Sequence, residues 1–140
     1  RVVMFDVLAH LPHPVATLRD VAALLAPGGQ LVLSTVNEAW PLVPLFLRLF
    51  RALPKHTAGL RDEMYEGQHY CYFSQRNVGR LMEAAGLELL DVRPMDPLST
   101  QLFLHQYAPP KRAALMAMRR IDRLLGSGRK MLVVARKPRG

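Results

Sequence analysis

The alternation of apolar and polar positions divides the chain into strand-like and helix-like runs joined by glycine and proline breaks. Val2 to Phe5 is a short apolar run of the kind that ends a buried parallel strand. Leu18, Val21, Ala22 and Leu25 recur at i, i+3, i+4 and i+7, the stripe of a helix packed on a sheet. Pro27-Gly28-Gly29 predicts the stop, because proline has no amide N–H to donate and glycine accepts positive φ. Leu31 to Val36 is nearly continuous apolar sequence, as expected for a strand covered on both faces. Strand, helix and strand with short links predict a right-handed βαβ unit.

From Asn37 the period loosens. Trp40 to Leu53 is aromatic and aliphatic, interrupted by Pro41 and Pro44, and Pro54 to His69 is polar with no clear period. Residues 37–73 therefore predict a long irregular insertion, a lid or binding loop. Order returns at Ser74, a good N-cap, ahead of Val78, Leu81, Met82 and Ala85 at helical spacing, with Gly86 at the C′ position. Leu87 to Val92 predicts a strand, Pro94 to Pro110 a loop, Lys111 to Leu125 a helix and Met131 to Ala135 the last strand. Periodicity alone supports an α/β sandwich, and 140 residues make one domain or a large part of one.

Composition narrows the class. Half the residues are hydrophobic and 21% are charged, so the chain can build a core and is not disordered by composition. The longest apolar-rich stretch, Ala39 to Leu53, carries Arg48 and Arg51 and is too short to span a bilayer. No signal-peptide pattern is visible, and a cytoplasmic location is expected. The single cysteine, Cys71, excludes an internal disulfide and a multi-cysteine zinc site. The net charge of +8 admits a nucleic acid, a phosphorylated substrate or an anionic surface as partner. The basic residues are scattered, however, and nucleic-acid binding normally leaves a clustered patch, so no nucleic-acid partner is expected.

The stretch Val3-Met4-Phe5-Asp6-Val7-Leu8-Ala9-His10-Leu11-Pro12-His13-Pro14, followed by Leu24-Leu25-Ala26-Pro27-Gly28-Gly29-Gln30-Leu31-Val32-Leu33-Ser34-Thr35-Val36-Asn37, resembles the middle of class I S-adenosylmethionine-dependent methyltransferases. The resemblance runs from Val2 to about Lys137. It implies the second half of a Rossmann-like methyltransferase sheet, mostly parallel with an antiparallel final strand, and helices on both faces. It also implies that residues 1–140 are a single partial domain whose glycine-rich cofactor loop lies upstream of Arg1. The implied cofactor is S-adenosyl-L-methionine. The implied activity is methyl transfer to a small organic acceptor such as a phenol, quinone precursor or lipid hydroxyl.

Candidate site residues follow from where ligands bind in such sheets, beyond the carboxyl ends of the strands. The resemblance puts Met4, Phe5, Asp6 and Val7 against the methionyl part and sulfur of the cofactor, although Phe5 can equally plug the core. Asp6, Ala9 and His10 sit at i, i+3 and i+4 and would share one face of a helical turn. Some similar enzymes hold a divalent metal through Glu-x-x-Glu-His there. With Ala9 at the second carboxylate position, no metal site is expected, because a hard cation wants several oxygens. His10 is the candidate catalytic base, since an imidazole titrates near neutrality, or else a histidine bonding backbone at a turn. Asn37 and Trp40 after the second long strand, with His69 and Tyr72 before Ser74, are expected on the acceptor wall. Turn formation and aromatic packing are the competing roles. Two further readings stay open: a methyltransferase-like interaction module without catalysis, and a nucleic-acid methyltransferase.

Overall fold

The computed structural model of the chain describes residues 1–65, 69–95, 104–106 and 108–139. Its centre is a pair of strands, β2 (Gln30–Val36) and β4 (Lys130–Arg136). They are antiparallel, with Leu31 opposite Ala135, Leu33 opposite Val133 and Thr35 opposite Met131. Apart from Thr35, these inward residues are 0% exposed, and each large one stabilises the fold by about 1.5–3 kcal/mol relative to exposure. β1 (Val2–Phe5) pairs parallel with β2, and β3 (Glu88–Met95) pairs antiparallel with β4, giving the order β1-β2-β4-β3.

The antiparallel last strand thus sits between its predecessors, as the resemblance implies. Three strands share one direction, but only β1 and β2 pair in parallel. The expectation of a mostly parallel sheet therefore holds for direction and not for pairing. A β4 inserted against its neighbours converts two of the three ladders.

Helices α1 (Pro14–Leu24) and α4 (Gln75–Ala84) supply the core of one face. Leu18 and Ala22 from the first, with Leu25 just past its end, and Val78, Leu81 and Met82 from the second join the inward strand residues in one cluster. α1 starts earlier than its apolar stripe because Pro14 fits the first turn, where no N–H is required. Ser74 and Asn77 form a reciprocal cap on α4: the Ser74 Oγ accepts from Asn77 N–H at 3.3 Å and the Asn77 side chain accepts from Ser74 N–H. Arg19 ties the two helices by donating to the Ala84 carbonyl at 3.1 Å.

The opposite face is exposed along β1. Val2 and Met4 pack against the core cluster, whereas the alternate residues Val3 and Phe5 are 56% and 55% exposed. Among the described residues, none of that face belongs to the cluster.

The region expected to be irregular is helical. α2 (Val43–Ala52) and α3 (Pro54–Met64) occupy most of it. Pro44 and Pro54 fall in the first turns of these helices, so Pro44, which reads as a break, belongs to a helix start, while Pro41 lies in the turn before it. α5 (Pro109–Leu124) precedes β4. The Pro94–Pro110 loop is shortened by β3 reaching Met95 and by a 3₁₀ turn at Leu104–Gln106, and residues 96–103 and 107 lie outside the described residues. Among the described residues no helix is long and apolar enough to cross a membrane.

Candidate functional site

β1 and β2 both end at the same edge of the sheet, and the chain leaves each by a tight polar turn. After Phe5 the backbone reverses at Asp6, the one non-glycine residue among those described with positive φ, at 57°. That conformation costs an L-residue with a Cβ roughly 1–2 kcal/mol, which three contacts offset. Asp6 N–H donates to the Ser34 carbonyl at 3.2 Å, the Ser34 hydroxyl donates to Asp6 Oδ1 at 3.2 Å, and Lys130 Nζ donates to Asp6 Oδ2 at 2.5 Å. Only then does a 3₁₀ turn, Leu8–His10, begin. Asp6 therefore does not share a helical face with Ala9 and His10, because its left-handed backbone breaks the turn before it starts. Ala9 is buried.

Phe5 at 55% and Val7 at 40% exposure flank this reversal. Phe5 is not part of this chain's core cluster and lies on the face away from it, while Met4 packs inward, half-buried.

His10 is brought to the second cluster by main-chain contacts. Tyr70 N–H and Cys71 N–H both donate to the Ala9 carbonyl, at 2.8 and 3.2 Å. This draws the segment after the insertion against the β1 turn. The His10 and His69 rings lie 4.6 Å apart, His69 meets Tyr72 edge-on at 5.6 Å, and Tyr72 lies 5.7 Å from Tyr65. All four are half-buried. Residues 66–68 of the Glu66–Ser74 segment lie outside the described residues.

Glu38, just past β2, completes this cluster electrostatically. Burial raises its carboxyl above the ordinary glutamate range. Burial, then Glu38 and then Tyr72, raise the Tyr65 phenol. Neither Glu38 nor Tyr65 was a sequence candidate. Tyr65 lies in a stretch without period, and a lone Glu after a strand carries no motif. Tyr65 also borders a groove of about 460 Å³ between α2 and α3, walled by Leu47 and Phe50 with Arg51 and Arg61 at its margin.

Two expected wall residues belong instead to the scaffold. Asn37 is 9% exposed; its Nδ2 donates to the Gly128 carbonyl at 2.9 Å and its Oδ1 accepts from Ala39 N–H at 3.2 Å. Trp40 is 2% exposed and its Nε1 donates to Asp122 Oδ1 at 2.5 Å. Phe46 stacks on the Trp40 ring at 5.5 Å and the Arg129 guanidinium lies over it at 5.9 Å. With their polar groups engaged and their surfaces covered, both residues hold the turn after β2 and the end of α5 together.

A sheet in this order, with polar turns leaving the carboxyl ends of β1 and β2, belongs to the Rossmann-like α/β class. A putative methyltransferase from Haloferax volcanii, solved with its Trm112 methyltransferase activator, superposes with a TM-score of 0.57 at 15% identity, covering 97% of this chain and 52% of that one. A putative methyltransferase from Bacillus halodurans gives 0.53 at 17% identity, with 97% and 68% coverage. In sequence, a ubiquinone biosynthesis O-methyltransferase of Xanthomonas euvesicatoria is 33% identical over 98 residues, covering 67% of this chain and 37% of that protein. The counterpart in Aeromonas salmonicida is 31% identical over 109 residues, covering 74% and 42%. The chain thus spans about two fifths of the length of these relatives. Residues 1–92 match the profile of a methyltransferase domain family, and the chain belongs to that family.

Proposed function

We propose that this chain forms the acceptor-side part of an S-adenosylmethionine-dependent methyltransferase that methylates a hydroxyl on a small organic molecule. Residues 1–140 would act as a partial domain, with the rest of the cofactor pocket supplied from outside them. The observation that carries the reading is the meeting of His10, His69 and Tyr72 beside the exposed Phe5 and Val7, at the carboxyl ends of β1 and β2. Family membership and the names of the sequence relatives support O-methylation over other acceptor chemistry.

When bound, the cofactor supplies an electrophilic methyl group on a sulfonium that departs as an uncharged thioether. Phe5 and Val7 form its apolar flank, with Met4 and Asp6 fixing the backbone behind them. In-line displacement depends first on alignment, and the His69 and Tyr72 rings orient an aromatic or aliphatic acceptor by packing. A hydroxyl must also lose its proton as the new C–O bond forms and the C–S bond breaks. His10 takes that proton on its imidazole as general base. The apolar groove at Tyr65 favours an acceptor with a hydrophobic body. No nucleic acid is needed as partner.

The test is a paired measurement on the full-length protein, using calorimetry with S-adenosylmethionine and turnover on a panel of hydroxylated aromatic acceptors. Phe5→Asp is expected to weaken cofactor binding at least tenfold. His10→Ala is expected to leave binding within about twofold and lower turnover about 10²-fold or more. Undiminished turnover in His10→Ala removes histidine from the chemistry, and absence of cofactor binding by the unaltered protein rejects the whole reading.

A further inference from the structure

The Asp6 turn joins three parts of the chain that are far apart in sequence, and its third member is a lysine from the last strand. Lys130 opens β4, lies opposite Val36 in the β2 ladder, and keeps only 22% of its side chain exposed. Its ammonium reaches across the sheet edge to the Asp6 carboxylate, 124 residues earlier. Ser34, 1% exposed, holds the other carboxylate oxygen and accepts a hydrogen bond from Asp6 N–H. The left-handed backbone at Asp6, with Phe5 and Val7 on either side, is thus pinned by one neutral partner, Ser34, and one charged partner, Lys130.

We propose that Lys130 is a positioning residue for the methyl-transfer site. Its ammonium fixes the Asp6 turn and cancels the carboxylate charge beside the sulfonium. This inference rests on the cofactor reading above. The methyl donor and its product differ by one methyl group and one positive charge, with every other group unchanged. A bare carboxylate at the rim would attract the donor and not the product. A bare ammonium would repel the donor and leave the product indifferent. With the pair intact the rim is nearly neutral, so the turn can touch both ligands without discriminating by charge.

The discriminating quantity is the ratio of affinities for S-adenosylmethionine and S-adenosylhomocysteine, measured by calorimetry on the full-length protein. Lys130→Met is expected to shift that ratio towards the donor by about threefold to fivefold, the size of one unscreened charge several ångströms away at a wet surface. Asp6→Asn should shift it towards the product by a similar factor, since asparagine tolerates the left-handed turn and leaves the ammonium alone. Lys130→Arg should restore the original ratio. Opposed shifts in the two variants support the proposal. An unchanged ratio in both, or shifts of the same sign, overturns it, because a purely structural clamp would weaken both ligands alike. If Lys130→Met does not fold, the Asp6→Asn and Lys130→Arg arms decide alone. Should the unaltered protein bind neither ligand, the functional reading fails and this inference with it; binding with an unmoved ratio sinks only the inference.

Discussion

Replacing Trp40 by phenylalanine separates a scaffold anchor from an acceptor wall. The indole is 2% exposed, and its N–H is held by the 6%-exposed Asp122, whose carboxylate also accepts from the Ser127 hydroxyl at 3.4 Å. Phenylalanine retains the ring face that Phe46 stacks on but loses the donor. A hydrogen bond to a charged group contributes about 1.5–3 kcal/mol. The lost ring volume adds roughly 1 kcal/mol, a fraction of the 3–5 typical of full truncation to alanine. The expected destabilisation is therefore about 3 kcal/mol, roughly a 9 °C fall in Tm for a domain of this length. Urea unfolding of the unaltered protein, Trp40→Phe, Asp122→Ala and the double variant measures it and yields the coupling energy. Coupling of at least about 1.5 kcal/mol is expected. A Trp40→Phe protein as stable as the original within about 0.5 kcal/mol, with no coupling to Asp122, would refute the anchor and return Trp40 to the acceptor wall.

Ser74→Ala removes the reciprocal cap on α4 and should cost about 1 kcal/mol, read by thermal unfolding; an unchanged Tm would mean that core contacts of Val78 and Met82 hold the first turn unaided. Glu38 gives a pH signature: burial raises its folded-state value, so the stability it contributes is complete below the unfolded value near 4.5 and declines as pH rises through the folded value. Glu38→Gln mimics the protonated side chain and should flatten that decline in Tm measured from pH 4 upward. The same variant should lower the pH at which Tyr65 ionises, seen by ultraviolet titration, because the nearby carboxylate is one cause of its raised value.

What was legible in the chain depended on the range of the interaction that decides each feature. Strands β1, β2 and β4, the Ser74 cap and the Gly86 terminus, with φ 75°, are written in local pattern, and each lies within a few residues of its expected place. Strand direction is not local. Nothing in Met131 to Ala135 says that it runs against its neighbours, and that came from family resemblance. The insertion misled because proline was read as a breaker, while a proline in the first turn needs no donor and starts a helix. The candidate site divides in the same way. Phe5 is exposed because period 2 sends it away from Val2 and Met4. Asn37 and Trp40 stand where expected, yet their roles were decided by Gly128 and Asp122, 91 and 82 residues away. Lys130 was invisible for the same reason, being a surface-like lysine until the sheet closes it on Asp6. His10, His69 and Tyr72 meet ring to ring where the chain leaves the strand ends, close in sequence to the exposed Phe5 and Val7. Chemistry at this edge is accordingly best sought among them.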